Sequence, residues 1–285
     1  MNKFLPVATI ALLALAGCSA PQQDDGLVHI VASTSVWGDI ASQIAGDHAD
    51  VTSLIDGSDI DPHSFEASAR DQLAISEADL IIANGGGYDP FMESLAEAAG
   101  STATEIDAYE ASGLSDSNEH VWYSFAGTAE VVAAIVEQLS ALDAGNAEAY
   151  AANGDALTEQ IAALETRANG LAREGDVAVT EPVPVYLLQS VGLTNATPAD
   201  FTEAIEEGND VPPLALQETL DLFASGSVLL LAYNSQTASP ETERVRQAAE
   251  DAGVPVVEFT ETLPDGADYV SWMTANLDAL QTALG

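Results

Sequence analysis

His63 is the first residue whose type and surroundings could support chemistry. It lies in the segment Asp-Pro-His-Ser-Phe-Glu at residues 61–66. A histidine flanked by carboxylates can bind a metal ion, because Asp61 or Glu66 could accept the second ring N–H and fix the tautomer. Taken alone, a surface-loop histidine explains the segment at least as well, so the metal-site hypothesis depends on similar segments elsewhere.

Three further polar residues stand at comparable places in the chain. His120 ends the polar loop at residues 112–119, Glu181 follows an apolar run ending near residue 180, and Glu261 follows another at residues 255–259. Two imidazoles and two carboxylates would form a mixed nitrogen and oxygen site, which suits Mn²⁺, Fe²⁺ or Zn²⁺. Their separations match no local metal motif, so spacing alone does not bring them together.

The elements that would position these residues alternate between strand and helix. Short apolar runs are separated by segments with helical spacing of apolar residues, which predicts parallel strands in an α/β architecture. Ser68 and Asp71 predict a capping box at the start of the helix after His63, and Thr197-Pro198 predicts a helix N-cap and first turn. In open α/β sheets ligands bind beyond the carboxyl ends of strands, where Glu181 and Glu261 are expected.

A long helical segment at residues 146–173 separates two similar halves. Helix formers fill it, and Gly154 weakens the helix without ending it. Such a helix would run about 40 Å, longer than one small domain is wide. We therefore predict a lobe at residues 27–144, a connecting helix at 145–175 and a second lobe at 176–285.

The turn Asn-Gly-Gly-Gly at residues 84–87 superficially resembles a phosphate-binding loop. It lacks the spacing Gly-x-Gly-x-x-Gly and the Lys-Ser/Thr pair of nucleotide sites. A tight strand-to-helix turn explains it.

The charge of the chain argues against nucleic acid as a partner. It carries 46 acidic residues against six Lys and Arg residues, a formal net charge of −40. Neutralising phosphates requires basic side chains, which are scarce here. An acidic surface can draw cations inward, although such surfaces are also a general adaptation, for example to salt.

The N-terminus predicts export. Lys3, an apolar run at residues 4–15 and the sequence Leu-Ala-Gly-Cys at residues 15–18 are typical of a secretory signal. Leu-Ala-Gly-Cys resembles the bacterial lipoprotein processing box, which implies a signal peptide at residues 1–17, lipidation of Cys18 and a polar tether at residues 18–26. No later segment is expected to cross a membrane, so we expect an extracytoplasmic protein anchored by its lipid.

Five motifs occur in order along the chain. They are Asp-Pro-His-Ser-Phe-Glu at 61–66, Asn-Glu-His-Val-Trp at 118–122, Thr-Glu-Pro at 180–182, Tyr-Asn-Ser-Gln at 233–236 and Phe-Thr-Glu-Thr-Leu-Pro at 259–264. Together they resemble a known family, the zinc/manganese (cluster A-I) solute-binding proteins of metal ABC transporters. The resemblance covers residues 28–284.

The resemblance implies a two-lobed α/β fold with one long connecting helix. It also implies a membrane permease as partner, a monomeric state and four metal ligands at His63, His120, Glu181 and Glu261. Glu261 stands where many members carry Asp, so its carboxylate would reach one methylene further. The protein would bind metal as cargo and would not be an enzyme.

The identity of the metal follows less directly. Members that bind zinc frequently carry a histidine-rich loop between the first two ligands, and residues 64–119 contain no histidine. Manganese is therefore favoured slightly over zinc, with iron as a third candidate. His29 and His48 are expected to be structural or solvent-facing.

Two other functions would use the same residues. A zinc hydrolase could combine His, His and a carboxylate with a second Glu as general base, although no His-Glu-x-x-His segment occurs. A metal-binding surface adhesin would share the fold and the metal.

Overall fold

The computed structural model describes residues 26–58, 60 and 62–285. The predicted signal peptide, Cys18, nearly all of the tether and Asp61 lie outside the described residues. Those predictions therefore have no structural counterpart here.

The first half forms a parallel four-stranded sheet in the order β2-β1-β3-β4. Its strands are β1 (Val28–Thr34), β2 (Ala49–Ile55), β3 (Leu80–Ala83) and β4 (Thr104–Asp107). Its helices are α1 (Ser35–Ala45), α2 (Ala69–Glu77), α3 (Phe91–Ala99), α4 (Ala108–Ser112) and α5 (Phe125–Leu142).

The second half repeats this plan with a parallel sheet in the order β6-β5-β7-β8. Its strands are β5 (Gly175–Val179), β6 (Leu193–Asn195), β7 (Val228–Asn234) and β8 (Val256–Phe259). Its helices are α7 (Val185–Ser190), α8 (Ala199–Glu206), α9 (Pro213–Ser225), α10 (Pro240–Asp251) and α11 (Tyr269–Leu284). The predicted α/β class, with two sheets flanked by helices, is confirmed.

In each sheet the strand order reverses between the two central strands. In the first sheet the chain moves from β1 to β2 on one side and to β3 on the other; in the second it moves from β5 to β6 and then to β7. Such switch points open a crevice at the carboxyl ends of the strands. Residues that follow these strands are therefore placed to bind a ligand.

The long helix between the halves is α6 (Ala147–Gly170). It packs against α5, α1 and α11, and it contributes to a central apolar core that includes residues of both sheets. In β5, Val177 and Val179 face this shared core, while Ala178 faces a second cluster on the opposite side of the sheet, as strand alternation requires. The two halves are thus joined by packing as well as by the connecting chain.

Among the described residues, α5 is long and apolar enough by length and composition to cross a membrane. Seven of its residues are buried, and it packs against α6, α1 and α4. A core helix accounts for its composition.

Three local features differ from the sequence-based expectation. The helix α4 and the strand β6 were not predicted. Thr197 does not cap α8: its hydroxyl pairs with the backbone of Val179 at 2.9 and 3.2 Å, and Pro198 occupies the N-cap position. The pairing of Thr197 with a neighbouring strand therefore replaces the predicted cap.

Candidate metal site

His63 lies in a 3₁₀ turn, Pro62–Ser64, between β2 and α2. The predicted capping box of α2 is present: Asp71 N donates to the Ser68 hydroxyl, and Ser68 N donates to the Asp71 carboxylate at 2.7 Å. This cap fixes the start of α2 just after the turn. The His63 side chain is 21% exposed and stands at the rim of the crevice, while Glu66 is exposed.

His120 is fully buried at the end of the loop that follows α4. The Asn118 side-chain oxygen accepts from its Nδ1 at 2.8 Å and from its backbone N at 3.1 Å. Because Nδ1 carries the proton in this arrangement, Nε2 is left with a lone pair. Among the described residues Nε2 has no hydrogen-bond partner, so it is available as a metal ligand.

Glu261 is fully buried just beyond β8 and faces both imidazoles. Its Oε2 atom lies 3.5 Å from His63 Nε2 and 3.6 Å from His120 Nε2. Ligand atoms arranged tetrahedrally at zinc-like bond lengths are about 3.3–3.6 Å apart. One ion could therefore be shared by all three side chains.

Glu181 follows β5 and is 1% exposed. It is not in the group of three whose ligand atoms lie within 4.8 Å of one another, which comprises His63, His120 and Glu261. The side-chain nitrogen of Asn234, at the end of β7, donates to Glu181 Oε2 and to Glu261 Oε1. One amide thus holds the two carboxylates side by side, and Glu181 Oε1 has no hydrogen-bond partner among the described residues.

The two carboxylates have opposite electrostatic environments. Burial, followed by the charge of Glu261, raises the pKa of Glu181 to about 7. Burial would also raise the pKa of Glu261, but the adjacent His120 and His63 outweigh it and hold that pKa well below its ordinary value. A buried carboxylate pair with one shared amide as donor favours a bound cation.

The glycine turn at residues 84–87 supports this site from the first half. Asn84 accepts from the Trp37 indole at 3.1 Å and donates to the backbone oxygen of Glu119 at 3.0 Å. A Cβ on Gly86 would come within 3.1 Å of the Tyr109 ring and of Glu119. Glycine therefore allows the loop before His120 to approach closely, which is a structural role and not phosphate binding.

Two nearby residues were missed by sequence reasoning. The Tyr88 hydroxyl donates to Glu261 Oε2 at 2.9 Å across the crevice. Glu206, at the end of α8, places Oε1 3.8 Å from His120 Nδ1. Burial, and then the charge of Glu119, raises the pKa of Glu206 to about 8. Neither residue follows a strand directly or belongs to a recognisable motif.

Glu119, His120 and Glu206 form a second group with metal-ligand spacing. The His120 atom facing Glu206 is Nδ1, which is already paired with Asn118. This group is therefore a weaker candidate than the first. His29 lies near Asp50, and His48 packs against Tyr150, so neither joins the site.

The comparisons with known proteins agree with a metal-binding role. The family model described as ZnuA, zinc-uptake complex component A, periplasmic, matches residues 30–283. This match covers all four predicted ligands and both sheets apart from the first two residues of β1.

Curated relatives carry related names. The chain is 30% identical over 172 residues to a manganese-binding lipoprotein, MntA, of Halalkalibacterium halodurans, covering 56% of this chain and 55% of that protein. It is 25% identical over 309 residues to the manganese ABC transporter substrate-binding lipoprotein PsaA of Streptococcus pneumoniae, covering 98% of this chain and 97% of the relative.

Solved structures share the fold. The protein FpvC of Pseudomonas aeruginosa in complex with Mn²⁺ matches with a TM-score of 0.75 and 25% identity, covering 90% of this chain and 98% of the other. A crystal structure titled ZnuA matches with a TM-score of 0.76 at 19% identity, covering 91% of this chain and all of the other, and supports the fold alone.

Proposed function

Because this chain belongs to the ZnuA family, described as zinc-uptake complex component A, we propose that it captures a divalent transition-metal ion outside the cytoplasm and delivers it to an ABC importer. Its partner is the membrane permease of that importer. One relative named above is a manganese-binding lipoprotein and the other is the substrate-binding lipoprotein of a manganese ABC transporter, which favours this function over a zinc hydrolase or an adhesin.

One observation carries the proposal. Glu261 Oε2 faces His63 Nε2 and His120 Nε2 at 3.5 and 3.6 Å although the three residues come from opposite halves of the chain. Glu181, tied to Glu261 through Asn234, would supply the fourth ligand. Four protein ligands would close the coordination shell, whereas a hydrolase keeps a position open for water.

We propose manganese ahead of zinc as the cargo, with Fe²⁺ third. Half of the donor atoms are carboxylate oxygens, which suit Mn²⁺, and the two relatives described above are named for manganese. Zinc remains a strong competitor, since its intrinsic affinity for such a site exceeds that of manganese.

We further propose that Cys18 carries a lipid anchor and that the protein acts as a monomer. Relatives over nearly the full length are named lipoproteins, and Leu-Ala-Gly-Cys stands where a processing box would be. The lipid would hold the protein near the permease. Mass spectrometry of the membrane-extracted protein would test the modification directly.

The site is tested by substituting one ligand. His63→Ala should abolish stoichiometric high-affinity binding of Mn²⁺ and Zn²⁺, because three ligands cannot complete the coordination shell. Titration calorimetry with chelator competition measures this loss, and elemental analysis of protein purified without added metal identifies the cargo. His48→Ala removes a histidine far from the site and should bind like the unaltered protein. Unchanged affinity in His63→Ala would refute the proposed site.

A further inference from the structure

Tyr88 connects the two halves of the protein at the proposed ligands. It follows the glycine turn after β3 and is 2% exposed. Its hydroxyl donates to Glu261 Oε2 at 2.9 Å. The two residues are 173 positions apart in the chain. A buried hydroxyl that reaches across the crevice to one carboxylate oxygen is expected to fix the position of that oxygen.

The oxygen that Tyr88 holds is the one facing both imidazoles. Glu261 Oε2 lies 3.5 Å from His63 Nε2 and 3.6 Å from His120 Nε2. A carboxylate oxygen has two lone pairs, so Oε2 can accept from Tyr88 and still bind an ion. The hydrogen bond is therefore compatible with ligation.

The other oxygen of Glu261 is held as well. Oε1 accepts from the Asn234 side chain at 2.8 Å. Turning the carboxylate so that both oxygens face the imidazoles would break this bond and the bond from Tyr88. The two donors together favour binding through Oε2 alone.

The Tyr88 ring also packs among the proposed ligands. Its centroid lies 5.1 Å from that of His63 and 5.7 Å from that of His120, both in edge-on arrangements. Replacing tyrosine by phenylalanine keeps this ring and removes only the hydroxyl. The contribution of the hydrogen bond can thus be separated from that of packing.

We propose that Tyr88 is a positioning residue that holds Glu261 Oε2 toward the two imidazoles before the ion arrives and restricts Glu261 to one-oxygen binding. This inference rests on the proposed function. The restriction limits Glu261 to a single bond with the ion. Ions that accept more ligands, such as Mn²⁺, depend less on this restriction than zinc does.

The test compares Tyr88→Phe with Tyr150→Phe in the full-length protein. Tyr150 is an equally buried tyrosine on α6, but its hydroxyl donates to the carboxylate of Asp143, which is not a proposed ligand. Affinities for Zn²⁺ and Mn²⁺ are measured by chelator competition, and Co²⁺ absorption reports the coordination number.

We expect Tyr88→Phe to weaken zinc binding by roughly 10- to 100-fold, the usual effect of losing a partner of a metal ligand. Manganese binding should weaken less, and the visible Co²⁺ bands typical of tetrahedral coordination should lose intensity. Tyr150→Phe should lower thermal stability without changing the Co²⁺ spectrum. Zinc affinity within twofold of the unaltered protein, with an unchanged Co²⁺ spectrum, would overturn the inference.

A second measurement does not depend on any variant. A crystal structure of the zinc complex should show Glu261 bound through Oε2 alone, with the Tyr88 hydroxyl still in contact. Binding through both oxygens, with Tyr88 displaced, would overturn the inference. If the unaltered protein bound no transition metal, the proposed function itself would fail, which is a separate outcome.

Discussion

Glu181 and Glu261 are two carboxylates that share one buried site, and such a pair needs a proton or a cation to offset its negative charge. Asn234 donates to both of them, and one amide does not neutralise two charges. The pKa of Glu181 rises to about 7 while that of Glu261 falls. At neutral pH, close to the pKa of Glu181, about half of the metal-free molecules therefore hold a proton on this pair, which an arriving divalent ion would displace.

The raised pKa values of Glu181 and Glu206 predict how the stability of the metal-free protein changes with pH. Between about pH 4.5 and 8 the folded state keeps protons on Glu181 and Glu206 that the unfolded state has released. Stability therefore falls as pH rises through this window, because the folded state binds more protons. Glu261 acts below the window, since its lowered pKa stabilises the fold until strongly acidic pH. We expect the melting temperature without metal to fall by at least about 5 °C from about pH 5 to pH 8.

Metal should reverse this trend, because the ion replaces the protons and binds only deprotonated ligands. Calorimetric scans with chelator and with saturating Mn²⁺ compare the two states. Glu181→Gln removes one titrating group and should flatten the slope of the metal-free protein. A melting temperature that rises from pH 5 to pH 8 in chelator would contradict the prediction.

At the scale of elements, the most periodic segments were the easiest to predict from sequence. The apolar run at residues 255–259 forms β8 with a difference of one residue, and the long helix α6 differs from the predicted segment only at its ends. β6 has three residues and exists because it pairs with β5, and α4 has five residues whose start is capped by the Asp107 side chain. Elements this short carry no periodicity, so tertiary pairing and a single cap determine them.

The site was only partly predictable for the same reason. Glu181 and Glu261 follow strands, and the family motifs contain all four proposed ligands. Tyr88 and Glu206 reach the site through side-chain direction from a turn and from a helix end, which no sequence pattern reveals. The assignment of all four ligands stays a prediction, as do the lobe boundaries.

Substituting Gly154 tests how tightly the helices α5 and α6 pack against each other. It lies in the middle of α6, where a Cβ would come within 2.4 Å of Val136 Cγ2 on α5. Alanine favours helix over glycine by about 1 kcal/mol, but overpacking costs about 1–3 kcal/mol. We expect Gly154→Ala to lower the free energy of unfolding by about 1 kcal/mol in denaturant titrations.

Two variants control this prediction. Adding Val136→Ala removes the clashing methyl group and should recover much of the loss. Gly170→Ala, at the end of the same helix, meets no atom within 4 Å of its added Cβ and should be neutral or slightly stabilising. A stabilising Gly154→Ala would show that α5 and α6 separate at little cost.

At the scale of the whole molecule, the two halves are bound together around Glu261. The neighbouring backbone is held from the first half: Tyr123 donates to Thr260 O at 2.7 Å, and Leu263 N donates to the Ser35 hydroxyl at 3.0 Å. The shared apolar core adds to these bonds. Metal release through a wide opening of the halves would break all of them, so local movement near the exposed His63 is the easier route.

The charge of the molecule should set how fast metal arrives. Two cavities of about 460 and 710 Å³ border His63, and each is lined in part by acidic residues, with no arginine among the described lining residues. Electrostatic steering depends on ionic strength, since the screening length falls from about 30 Å at 0.01 M to about 8 Å at 0.15 M. We expect the association rate of Mn²⁺ to fall about 3- to 10-fold over that range, measured by stopped-flow chelator exchange.

Matched variants separate local steering from total charge. Glu203, Glu207 and Glu241 line these cavities and are not proposed ligands. Replacing all three by Gln should slow association while leaving dissociation unchanged. Replacing the exposed Glu148, Glu159 and Glu165 of α6 by Gln changes the net charge equally and should have less effect. Equal slowing by both sets would assign the attraction to total charge.

The fluorescence of Trp122 should report which ion occupies the proposed site. Its indole is fully buried, with its ring centroid 5.2 Å from that of His120 and 5.1 Å from that of Tyr88. Ions with unpaired d electrons quench indole emission at such short range, whereas Zn²⁺ has a filled d shell. Fluorescence of the unlabelled protein should therefore distinguish a manganese-loaded from a zinc-loaded molecule, so that the identity of the bound ion can be followed without any added dye.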